Sequence, residues 1–117
     1  MSTPATINYL EIPASDLDLI KQFFTAAFDW RFTDYGPDYC AFDQAAGLDG
    51  GFYRSPLNAT TAQGSVLVVF HSEDLAATEA RIIAAGGQIS QPVFEFPGGR
   101  RFHFLDPCGN EFAVWSA

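Results

Sequence analysis

The chain opens on a period-two pattern. Across Ile7-Asn8-Tyr9-Leu10-Glu11-Ile12, Leu10 and Ile12 share one face, and Tyr9 and Glu11 share the other. This predicts a half-buried strand, ended by Pro13. The period then changes. Leu17, Ile20, Phe23, Phe24, Ala27 and Phe28 recur at helical spacing and form one apolar stripe. Ser15 and Asp16 read as the helix start, Asp18 adds negative charge to its first turn, and the helix is expected to stop near Asp29. Trp30 to Tyr35 reads as a strand, Gly36-Pro37-Asp38 as a turn, and Tyr39 to Asp43 as another strand. Gly47-Leu48-Asp49-Gly50-Gly51 reads as a glycine-rich turn into a last strand, Phe52 to Arg54.

A polar stretch from Ser55 to Gly64, holding Pro56, Asn58, Thr60 and Thr61, separates this half from the next and is the best linker candidate. The plan then repeats. Val66 to Phe70 is an apolar strand, and Ser72-Glu73-Asp74-Leu75 opens a helix with Ser72 as the expected N-cap. Leu75, Thr78, Ile82 and Ala85 lie on one face of it, and Gly86-Gly87 ends it. Gln88 to Phe94 reads as a strand broken by Pro92. Arg101 to Leu105 is a strand, Asp106-Pro107-Cys108-Gly109-Asn110 a tight turn, and Glu111 to Trp115 the final strand.

Strand-helix-strand-strand-strand therefore occurs twice, and Asp16-Leu17 recurs as Asp74-Leu75. The expected class is α+β: two tandem βαβββ modules forming a curved mixed sheet around a cavity, with helices outside. A length of 117 residues suits one domain spanning 1–117, with module one at about 5–54, the linker at 55–64 and module two at 65–117.

Charge and composition narrow the partners. A net charge of −8 disfavours nucleic acid and anionic membrane surfaces, both of which need a basic face. It mildly favours cationic ligands, although acidic surfaces mostly serve solubility. No apolar run approaches the roughly 18 residues of a membrane span. The start, Met1 to Thr6, is polar and does not read as a secretory leader. The two cysteines, Cys40 and Cys108, form no C-x-x-C pair, so a reduced, cytoplasmic protein is expected.

Three segments resemble the vicinal oxygen chelate superfamily, which includes glyoxalases, bleomycin-resistance proteins and extradiol dioxygenases. They are Ile7 to Ile12 followed by Ser15-Asp16-Leu17, Phe70 to Leu75 with Ala84-Ala85-Gly86-Gly87, and Phe104 to Phe112 with its D-P-x-G-N hairpin. The resemblance is to the small glyoxalase-like branch of undefined chemistry, and it implies a homodimer. It also implies where a metal would be held: Tyr9, Leu67 and Ala113 occupy the positions of the family's usual ligands. Leu and Ala offer no donor, and a phenol stays protonated near neutral pH. No metal and no cofactor is therefore expected, since a catalytic site needs about three protein ligands.

If the family's ligand positions Tyr9, Leu67 and Ala113 face the cavity, strand parity adds Glu11, Val69, His71, Glu111 and Trp115. The resemblance to the fosfomycin-resistance branch implies a substrate contact at His103, whose face Arg101 shares, and Tyr39 is added from module one. This set mixes apolar walls with a few polar groups, as small-molecule pockets do. The leading reading is a metal-free protein that binds a small molecule. The alternative is a metal-independent lyase or isomerase acting on a small carbonyl or carboxylate substrate, with His103 or Glu11 moving a proton and Arg101 holding an anionic group. A metal-dependent glyoxalase or dioxygenase ranks below both. A relocated metal site built from Glu11, His71, His103 and Glu111 is disfavoured, because these positions lie one or two strand steps from the family's place and each step moves a side chain by about 6.6 Å.

Overall fold

The computed structural model describes residues 4–117, so the first three residues of the polar N-terminal stretch lie outside the described residues. The order is β1 (Tyr9–Ala14), α1 (Leu17–Phe28), β2 (Phe32–Asp34), β3 (Tyr39–Phe42), β4 (Asp49–Arg54), β5 (Val68–His71), α2 (Leu75–Ala84), β6 (Gln88–Phe96), β7 (Gly99–Leu105) and β8 (Glu111–Ser116). Short 3-10 turns at Gln44–Ala46 and Thr61–Gln63 interrupt two of the loops.

The two expected βαβββ modules are present, in an α+β architecture. Each builds its own four-stranded sheet, in order β1-β4-β3-β2 and β5-β8-β7-β6. The first strand of each module pairs in parallel with its last, β1 with β4 and β5 with β8. The other pairings are antiparallel. The internal repeat extends to the helix starts. Asp16 accepts from Leu19 N–H and Asp74 accepts from Ala77 N–H, both at 3.0 Å. Asp74, not Ser72, is thus the N-cap of α2. Ser72 lies outside the helix, where its Oγ accepts from Asp74 N–H and bonds Thr78 Oγ1. At the other end of α1, Asp29 takes a left-handed φ of 61°, and its N–H caps the last turn.

Three further expectations give way to tertiary effects. Pro13 lies inside β1 instead of ending it. A proline is tolerated there because β1 is an edge strand. Pro92 likewise does not break β6, also an edge strand, and the pairing with β7 shifts register around it, between Ile89 and Phe94. Gly50 and Gly51 belong to β4, not to a turn. A Cβ on Gly50 would lie 2.5 Å from Leu10 O and against the Phe42 ring. One on Gly51 would meet the Tyr39 hydroxyl, so both glycines provide space for neighbours crossing the strand. The apolar strand expected at Val66 begins only at Val68.

One aromatic core serves both modules. The α1 stripe buries Leu17, Ile20, Phe23, Phe24 and Ala27. Phe24 stacks on Trp30 at 4.6 Å and also reaches Phe52 of β4 and Phe112 of β8. Phe28 stacks on Phe70 of β5 at 4.6 Å. The residues facing the helices are buried: Ile12, Phe42 and Phe52 in the first sheet, Phe102, Phe104, Phe112 and Val114 in the second. Each full burial of such a ring is worth about 2–3 kcal/mol. The opposite face of each sheet carries Tyr9, Glu11 and Tyr53, or Val69 and His71, all exposed.

The D-P-x-G-N turn bolts the halves together. Asp106 Oδ1 accepts from the N–H groups of Cys108 and Asn110, and its Oδ2 accepts from Asn110 Nδ2. Asn110 Nδ2 also donates to Pro13 O, and Asn110 Oδ1 accepts from Ala59 N–H, both at 2.8 Å. One buried amide thereby ties the second module to β1 and to the linker. No helix among the described residues is long and apolar enough to cross a membrane.

Candidate small-molecule site

The predicted inward set falls into two clusters, one on the open face of each sheet. In the first, β1 contributes Tyr9 and Glu11 and β3 contributes Tyr39. Tyr39 crosses β4 above Gly51, and its hydroxyl donates to Glu11 Oε2 at 3.0 Å. That hydroxyl has a single hydrogen, so its contact with Tyr9 Oη is a bond donated by Tyr9. The chain of bonds runs from Tyr9 through Tyr39 to Glu11. Burial, and then the bonds with Tyr9 and Glu11, push the Tyr39 phenol well above its usual range and keep it protonated.

The second cluster lies on β7 and β8. His103 and Glu111 face the same way by strand parity, and their cross-strand partners are Ala113 and Leu105. His103 Nδ1 lies 2.9 Å from Glu111 Oε2, and His103 Nε2 lies 2.9 Å from Arg101 Nη2. A guanidinium can only donate. His103 Nε2 therefore accepts, and Nδ1 carries the hydrogen given to Glu111, so the ring is neutral in this arrangement. Glu111 Oε1 accepts from both the N–H and the hydroxyl of Thr61. Burial pushes the Glu111 carboxyl upward, but the bonds from His103 and Thr61 outweigh it and hold the group below its ordinary range. Thr61, in the linker, is a partner that strand parity had no means of finding.

The remaining predicted residues take lesser positions. Arg101 lies with its Cζ 5.4 Å from the Phe94 ring centroid and 5.7 Å from that of Phe96. Trp115 is its cross-strand partner and meets the exposed His71 edge-on at 4.8 Å. Val69 pairs with Ala113 across the parallel ladder, and Ala113 is fully buried. Leu67 precedes β5 and is half-buried.

The two clusters approach each other at the seam between the sheets. A cavity of about 530 Å³ there is walled by Leu10 and Ile12 of β1, Val68 of β5, Phe112 of β8, and the residues 57–59 and 63–66 between the modules. Glu11 and Glu111 both line it, one from each cluster, and Tyr53 adds a ring. Glu11 and His103, the two candidate proton-moving groups, are thus held by separate networks.

A metal of the family type does not fit these donors. Tyr9 is committed to Tyr39, and Ala113 has no donor atom. Both nitrogens of His103 are engaged, one by a cation, and each Glu111 oxygen already accepts a hydrogen bond. Among the described residues, no three His, Cys, Asp or Glu side chains come together to share an ion.

Comparison with known proteins agrees with the architecture. Putative glyoxylase CFP32 of Mycobacterium bovis and its counterpart in Mycobacterium tuberculosis are each 24% identical over 119 residues. The match covers 96% of this chain but only 46% of theirs, so the chain spans about half the length of these curated relatives. A glyoxalase-related enzyme from Fulvimarina pelagi superposes with a TM-score of 0.79 at 18% identity, covering 96% of this chain and 88% of that one. The fosfomycin resistance protein FosX from Listeria monocytogenes also reaches 0.79, at 19% identity, covering 98% and 95%. At such identities these structures establish the fold. Residues 6–114 match the sequence pattern of the Glyoxalase/Bleomycin resistance protein/Dioxygenase superfamily, and the chain belongs to that family.

Proposed function

We propose that this protein binds a small organic molecule without a metal ion, using the seam cavity and the sheet faces beside it. The observation that carries this reading is the closed state of the polar network. His103, one of the two best metal donors near the family position, spends its Nε2 lone pair on Arg101, and Glu111, the other, accepts from His103 and Thr61. What remains is a cavity of ligand size with mostly apolar walls and a few fixed polar groups. A homodimer belongs to this reading, because Tyr9, Tyr53 and Val69 leave large apolar groups exposed on the open sheet faces. A cytoplasmic setting belongs to it too, supported by the free thiols of Cys40 and Cys108.

The test is binding measured with metal controlled. Protein purified without chelators is assayed for bound ions by elemental analysis and then screened by thermal shift, with and without EDTA, against a panel of neutral, cationic and anionic small molecules. Ligands that raise the melting temperature equally in both conditions support the reading. A stoichiometric ion whose removal abolishes every such shift would sink it.

A second reading, a metal-independent lyase or isomerase, is favoured by one observation. Glu111 holds the His103 ring in the tautomer whose Nε2 carries the lone pair, as a carboxylate does for a general base. On this reading His103 takes a proton beside a substrate carbonyl once Arg101 turns to an anionic group of that substrate. Turnover of a carbonyl substrate that disappears in a folded His103→Ala variant supports it. Unchanged turnover removes His103 from the chemistry.

A further inference from the structure

The basic side chains of this acidic protein are mostly accounted for. Lys21 pairs with Asp18 and Asp34, and Arg54 pairs with Asp38. Arg31, Arg81 and Arg100 are exposed, and Arg81 donates to Ala26 O. Arg101 is different. It is half-buried, and among the described residues no carboxylate lies within 4.0 Å of it. Among the described residues its one hydrogen bond runs to a neutral imidazole. Its Nε is buried without any partner.

A guanidinium in that state is under-compensated. It cannot lose its proton, and among the described residues its charge is met by the faces of Phe94 and Phe96 and by the His103 lone pair, with no anion beside it. The nearest acid in its network is Glu111, one residue further along, whose oxygens are turned to His103 and Thr61. The arginine is also pinned. Two rings hold the guanidinium plane, His103 Nε2 fixes one edge, and Nη1 makes no hydrogen bond among the described residues. A fork fixed in this way suits a planar two-oxygen anion, and little ordering is needed when one binds. The surrounding surface is aromatic, with Trp115 directly across the strand.

We propose that Arg101 anchors the carboxylate of a small organic acid, whose apolar part lies against Phe94, Phe96 and Trp115. This rests on the small-molecule reading above and adds the charge of the ligand. It gives His103 a positioning role: the imidazole holds the arginine by its Nε2 lone pair while adding no charge of its own.

The experiment is a titration of the full chain with benzoate, with its neutral isostere benzamide and with sodium phosphate, at constant ionic strength. It is followed by isothermal calorimetry and by the NMR signals of the Trp115 indole N–H and the Arg101 Nε–H. Benzoate is expected to bind at least tenfold more tightly than benzamide or phosphate and to move both signals. The Arg101→Gln variant is expected to lose that binding, and Arg101→Lys, which keeps charge but not the fork, to weaken it several-fold with its melting temperature preserved. Benzamide binding as tightly as benzoate overturns the proposal, as does benzoate binding unchanged in Arg101→Lys and Arg101→Gln. Phosphate matching benzoate overturns the organic part of the assignment. Absence of benzoate binding also overturns it. In each of these cases the small-molecule reading survives if another member of the thermal-shift panel binds, and falls with the proposal only if the whole panel is silent.

Discussion

His103 and Glu111 form a buried pair in which one ring nitrogen and one carboxylate oxygen lie 2.9 Å apart, with side-chain exposures of 6% and 9%. Because His103 Nε2 accepts from Arg101, the pair is a neutral donor bonded to a carboxylate, and Glu111 carries the charge. Glu111→Gln keeps the shape but cannot accept from Thr61 and His103 as an ionised group does. The expected loss is about 1–3 kcal/mol at neutral pH, read from denaturant unfolding. A loss within 0.3 kcal/mol of zero would show that the network contributes little to folding.

The same pair predicts a pH dependence. The folded-state pKa of Glu111 lies below its ordinary value. Its contribution is therefore present above the unfolded pKa, about 4.3, and is lost as pH falls through the folded pKa. The stability gap between wild type and Glu111→Gln should narrow below pH ~4, measured by thermal melts from pH 3 to 7. A gap that widens on acidification contradicts the assignment.

Asp106 titrates in the opposite sense. Burial pushes its carboxyl up to about 6, although the bonds from Asn110 and Cys108 pull downward. The folded pKa exceeds the unfolded value of about 3.9, so the favourable contribution is complete below that value and is lost as pH rises through about 6. A carboxyl carbon titration by NMR should give a midpoint near 6. A midpoint at or below 4 would mean that the three donors to its carboxyl dominate over burial.

Asn110→Ala tests the bolt between the modules. It removes the amide from Pro13 O, from Ala59 N–H and from Asp106 Oδ2 at once, leaving buried polar groups unpaired. The expected cost is about 3 kcal/mol or more in chemical unfolding. Amide exchange should quicken first at Ala59 and Thr61 if the linker is held as described. Unaltered exchange there counts against this anchoring.

Gly51→Ala tests the tyrosine network. The added methyl would sit on the Tyr39 hydroxyl and 2.8 Å from Cys40 O, so the phenol must leave Glu11 and Tyr9. A destabilisation of about 1–3 kcal/mol is expected. In a phenol titration, Tyr39 should become easier to ionise, since the environment that holds its proton is dispersed. A Tyr39 signal that stays unchanged removes Gly51 from that role.

The elements were legible where local chemistry decides them. The alternation in β1, the α1 stripe and the Asp16 helix start all depend on neighbours a few residues away, whereas the N-cap of α2 falls on Asp74 and not on the expected Ser72. Pro13, Gly50 and Gly51 were misread because their meaning is set by distant strands. One lies on a sheet edge, and two are crossed by side chains of β3. The site was half legible for the same reason. Parity says which face a residue takes but not which residues share it, so Tyr9 and Glu11 joined Tyr39, while Glu111 joined His103 and a linker threonine.

The rings of α1 bear on how such a chain can be cut or duplicated. Phe24 touches β4 and β8, and Phe28 touches β5. A fragment carrying only the first half would hold out to water the very side chains that its missing companion shelters. Half-length pieces should therefore aggregate or stay unfolded alone and recover structure when mixed.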